Sequence, residues 1–139
     1  MADAWTELTV EAVQNALPSD LATLYASWVE ANPTKANRFG ELVAEVRKTF
    51  RTAVEANPAN QLDVNPNTVP TTGFRHAINM VIFNLGMEMG VQLSSEADGL
   101  ITRADIWLRM VQNGGIPIDS MAGEGSPSYR APEGERWLL

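Results

Sequence analysis

At 139 residues the chain is the size of one ordinary domain, long enough to bury a sizeable core without covalent staples. It has no cysteine, which excludes disulfides and thiolate metal sites, and its single histidine excludes a histidine metal cluster. Its net charge of −7 suits it poorly to gripping a phosphate backbone, where affinity rests on Lys and Arg displacing counterions.

The first segment, MADAWTELT, has neither a basic region nor a continuous apolar run and does not read as a signal peptide. Thr9 is placed to cap a short helix carrying Val10, Val13 and Leu17, which Pro18 stops. Ser19 is expected to cap a second helix, in which Leu21, Leu24, Tyr25, Trp28 and Val29 repeat at the spacing of one buried face. Asn32-Pro33 ends it. Charge is segregated at this point: residues 1–34 hold Asp3, Glu7, Glu11, Asp20 and Glu30 with no Lys or Arg, whereas Lys35, Arg38, Arg47, Lys48 and Arg51 follow closely.

A third helix is expected from about Thr34 to Ala56, with Phe39, Leu42, Val43, Val46, Phe50 and Val54 facing inward. Its Arg51 and Glu55 are spaced for an i, i+4 pair. Asn57 to Thr71, NPANQLDVNPNTVPT, then reads as a long connector, because each Pro removes a backbone donor and pushes its predecessor out of helix. A connector of this length is expected to protrude and meet a neighbouring subunit through Leu62, Val64 and Val69, which also suit a short ribbon.

From about Thr72 to Val91 a fourth helix is apolar nearly all round, so it should lie at the centre of a bundle. Asn79, Asn84, Glu88 and Gln92 interrupt its apolar stretch and argue against a membrane span. Gly86 and Gly90 allow a close approach by another backbone, and Met80, Met87 and Met89 read as core filling. Ser94 or Ser95 caps a last helix, with Glu96 and Asp98 in its first turn and Leu100, Ile101, Ala104, Leu108 and Val111 inside. Trp107 at the margin of that face, and Trp5 before the first helix, suit either core or intersubunit contacts. Asn113-Gly114-Gly115 gives a left-handed stop, and Ile116-Pro117-Ile118 suits an edge strand or an extended segment.

The remainder, residues 119–139, is rich in Ser, Gly, Pro and Glu but ends in Trp137-Leu138-Leu139. Ordering each backbone residue costs roughly 1–2 kcal/mol, while each of those side chains contributes about 1.5–3 kcal/mol when buried. The expectation is an anchor on an extended leash. The whole chain thus reads as an all-α bundle of about five helices over residues 1–118, with a protruding connector and a C-terminal tail.

Catalytic equipment is missing from the text. No HExxH, GxSxG, P-loop or GxGxxG in a βα context occurs, and Glu41 with Glu45 reads as a solvated stripe. His76, at the entrance of the fourth helix, reads as a structural residue hydrogen-bonded to the connector. No enzymatic activity, cofactor, metal or membrane partner is expected.

The order of features resembles the head-to-tail connector, or adaptor, proteins of long-tailed bacteriophages. The text that carries this is TFRTAVEANP, a connector closing in VP, GFRHAINMVIFNLGMEM, the capped SSEADGLI and the ending ADIWLRMVQNGGIPI, about Thr49 to Ile118. The resemblance implies a small helical bundle forming a homo-oligomeric ring, commonly of twelve copies, in the neck of a virion assembled in the host cytoplasm. It further implies a portal protein above, reached by the tail through Tyr129, Arg130, Trp137, Leu138 and Leu139, and a tail-completion or tail-terminator protein below. DNA would pass without specific binding. The alternative is a small helical protein-binding or regulatory module that uses its C-terminus as a linear motif, and a DNA-reading helix-turn-helix is disfavoured by charge.

Overall fold

Five helices and one two-stranded ribbon make up the computed structural model, which describes residues 4–116 and 137–138. The elements are β1 (Trp5–Glu7), α1 (Val10–Ala16), α2 (Ser19–Ala31), α3 (Arg38–Glu55), β2 (Thr68–Pro70), α4 (Phe74–Met89) and α5 (Ser95–Gln112). Single 3-10 turns at Pro33–Lys35 and Thr71–Gly73 lead into α3 and α4. The chain is therefore an all-α bundle with a small ribbon laid on it.

Local sequence explains most boundaries. Thr9 accepts from the Ala12 amide and opens α1; Ser94 does the same for Ala97 at the start of α5, with Glu96 and Asp98 in the positive first turn. At α2 the expectation fails, because Pro18 occupies the cap position with no side-chain bond and Ser19 is already helical. Gly90 (φ 74°) ends α4, and Gly114 (φ 78°) follows α5, both in the left-handed region that glycine adopts without steric cost.

Packing centres on α4, which contacts α1, α2, α3 and α5 and buries Phe74, Ala77, Ile78, Val81, Ile82 and Leu85, among others. The inward face of α3 comes out as expected, with Ala53 added. Trp107 belongs to this core: its ring stacks on Phe50 with centroids 5.5 Å apart, and it lies against Gly73 so closely that a Cβ there would fall 2.4 Å from Cη2. Gly86 serves the monomer in the same way, since a Cβ would meet Leu93 Cδ2 at 2.9 Å. Arg38 links the start of α3 to the end of α4 through Glu88 at 2.8 Å, with Glu45 at 3.2 Å beside it. These groups are partly exposed, so solvent screens the network and it contributes little to stability.

Pairing of the N-terminus with the connector gives the ribbon. Trp5 lies opposite Pro70, Thr6 opposite Val69 and Glu7 opposite Thr68 in antiparallel register. The pairing is extended by Leu8 N–H to Asn67 O and by Thr71 N–H to Ala4 O. Trp5, Leu8 and Val69 turn inward and are buried, so the ribbon is a lid on the bundle rather than a free arm.

Candidate functional site

Three places on the molecule gather polar chemistry or partner-ready surface, and the connector makes the first. Arg51, on the outer face of α3, reaches into it: Nη1 donates to the carbonyls of Asn65 and Thr68 and to Thr68 Oγ1, each at 3.0 Å, and Nη2 donates to Asp63 O at 2.6 Å. Its guanidinium also sits 5.3 Å from the centre of the Trp5 ring. Thr68 Oγ1 in turn donates to Asp63 Oδ2 at 2.9 Å. A planar fork with several fixed donors meets this set of carbonyls as no other side chain does.

The expectation of a protruding connector is corrected by this arrangement. Val69, within the ribbon, is fully buried and withheld from a neighbour, Leu62 is half-buried against the core and only partly available, and Val64 stands open at 97% exposure. Between α3 and the folded-back connector lies an open groove of about 450 Å³ whose lining includes Arg47, Lys48, Arg51, Glu55, Leu62 and Pro66. Arg47 gives one Nη1 bond to Leu8 O at 3.2 Å. Lys48 is exposed and has no ion pair among the described residues.

Smaller and deeper is a pocket of about 170 Å³ between α4 and α5, lined by Thr72, Arg75, His76, Asn79, Leu100 and Arg103. The His76 ring is tilted against Trp107 at 6.0 Å, and its Nδ1, like Asn79 Oδ1, is buried without a hydrogen-bond partner. The hydrogen bond to the connector expected of His76 is therefore not made through Nδ1. Burial first, then Arg75 and Arg103, hold the imidazole below its ordinary pKa, favouring the neutral ring. No group of three or more Asp, Glu or His among the described residues is arranged to hold a metal.

At the C-terminus, Trp137 is 1% exposed in the bundle's own core, and its carbonyl accepts from Ser94 N–H at 2.8 Å. Leu138 forms an antiparallel bridge with Leu93. The picture of a free terminal anchor is thereby corrected for these two residues, because an indole already inside its own chain is not presented to another protein in this conformation. Tyr129, Arg130 and Leu139 lie outside the described residues.

An exposed apolar surface is the remaining feature. The face of α2 expected to be buried is only partly covered: Leu21 alone is fully inside, Leu24 is 38% exposed, and Tyr25, Trp28 and Val29 are half-buried. Tyr25 packs edge-on against Phe39 at 5.2 Å. Periodicity finds this face, but cannot say that the chain leaves it partly open.

These features define a class, a small all-α bundle carrying a two-stranded ribbon. In comparisons with protein-family models, curated proteins and solved structures, nothing matches this chain. Among the described residues no helix is long and apolar enough to cross a membrane.

Proposed function

We propose that the protein is a structural component of a bacteriophage neck, forming a ring between the portal and the tail and leaving a channel through which DNA passes. One observation carries the reading: the described part of the text that resembles the head-to-tail connectors, Thr49 to Ile116, packs the end of α3, β2, α4 and α5 together around Phe50, Trp107 and the buried face of α4. The half-open α2 fits a subunit that completes its surface in an assembly. An acidic chain also suits a channel lining, since it repels passing DNA instead of retaining it. A regulatory module built on a C-terminal linear motif draws less support, because Trp137 is buried in its own bundle.

Co-purification with the portal protein of the same particle, followed by light scattering, tests the reading. A portal-bound species holding many copies of this chain is expected. A chain that stays monomeric or dimeric and unbound beside portal would contradict it, as would its absence from the neck of the imaged native particle.

A further inference from the structure

We infer that two copies of this chain meet head to tail, with a ridge on α2 of one copy, formed by Asp20, Leu24 and Trp28, seated in the groove between α3 and the connector of the next. The inference deepens the ring reading and rests on it. The ridge is set by helix geometry: residues spaced by four lie one above the other, so an acid, a leucine and an indole stand in line. The described chain covers them only in part, since Asp20 is exposed, Leu24 is 38% exposed and Trp28 is half-buried beside Tyr25. The groove presents the complementary chemistry, with Leu62 and Pro66 as apolar wall and the cations Arg47, Lys48 and Arg51 outweighing the acid Glu55, within about 450 Å³.

Charge decides which faces meet. Residues 1–34 hold five acids and no base, whereas Lys35, Arg38, Arg47, Lys48 and Arg51 crowd the segment up to residue 51. Two acidic α2 faces repel each other, so an isologous contact through α2 is disfavoured, while α2 against the α3 groove pairs opposite signs. The ridge and the groove are different surfaces of one subunit, because α2 contributes no residue to the groove. Such a heterologous contact repeats, and it closes into a ring when the rotation per step allows. One ridge of three side chains is small beside the roughly 800 Å² per partner of a standard stable interface. A single contact is therefore weak, and closure of the ring supplies the avidity.

Sedimentation velocity of the full chain at rising concentration, at low and high salt, reads the contact. Asp20→Lys and Lys48→Glu should each weaken self-association about tenfold or more by setting like charges opposite each other. The chain carrying both changes should regain most of it, and salt should weaken the unsubstituted protein. Both positions are exposed, and circular dichroism melts check that every variant folds. A double variant associating no better than the singles overturns the inference, as does association indifferent to all three chains, or an unsubstituted chain that never self-associates. Imaging of the native particle decides the ring separately: a ring built through other surfaces rejects this contact and leaves the ring reading standing.

Discussion

α4 and α2 are both rich in large apolar side chains, yet the molecule uses them oppositely. α4 is wrapped by four other helices and buries side chains all around its circumference; α2 touches the bundle mainly through Leu21 and leaves Leu24, Tyr25, Trp28 and Val29 wholly or partly open. A similar apolar pattern thus serves intramolecular stability in one helix and contact surface in the other. The difference lies in what surrounds each helix, not in its own periodicity.

The sharpest way to break that comparison is to cut side chains from both helices. Ile82→Ala or Leu85→Ala should cost about 2–5 kcal/mol in denaturant unfolding, because a cavity is left among fully buried neighbours. Leu24→Ala should cost at most about 0.5–1 kcal/mol in the monomer. Equal losses would show that α2 is as much a part of the core as α4.

Next in size is the Arg51 clamp. Arg51→Ala strands the carbonyls of Asp63 and Thr68, while Asn65 O keeps its bonds from Thr68, and should cost about 2–3 kcal/mol, with faster hydrogen exchange over residues 63–71. Arg51→Lys should recover little, since an ammonium cannot reproduce the fork.

Trp137→Ala should lower stability by about 1–3 kcal/mol, the burial of the indole less the entropy regained by the released chain end. Unchanged unfolding would place Trp137 outside the cooperative core.

The smallest effect belongs to His76. Its folded pKa lies below the ordinary value, so on the acid side of about pH 6.5 the unfolded chain takes up the proton more readily. Its contribution is complete above that pH and is lost as the pH falls toward the folded value. Unfolding midpoints of His76→Gln should accordingly depend less on pH below about 6.5 than those of the unsubstituted chain.

Features fixed by neighbours in the chain were legible in the text. The caps at Thr9 and Ser94, the stop at Asn113-Gly114 and the central place of α4 all follow from local propensity and periodicity. Long-range partners were not. β1 was invisible because three residues carry little pattern and their partner, Thr68–Pro70, lies more than sixty residues on. Arg51 looked like one half of a weak pair with Glu55, since nothing local shows that Asp63, Asn65 and Thr68 fold back over it. Trp137 was recognisable as an anchor, but its berth beside Leu93 and Ser94 was not, because an apolar residue announces burial without naming the place. The spacing in α2 marks an amphipathic face but not how far the fold covers it.

Hydrogen exchange followed by mass spectrometry, at concentrations below and above self-association, tests the contrast between the two helices most directly. Exchange over α2 and over the Arg47–Arg51 stretch of α3 should slow on assembly, while α4, already protected, should not change. Slowing confined to other elements, with α2 exchanging as in the monomer, would contradict the claim that its open face is a contact surface.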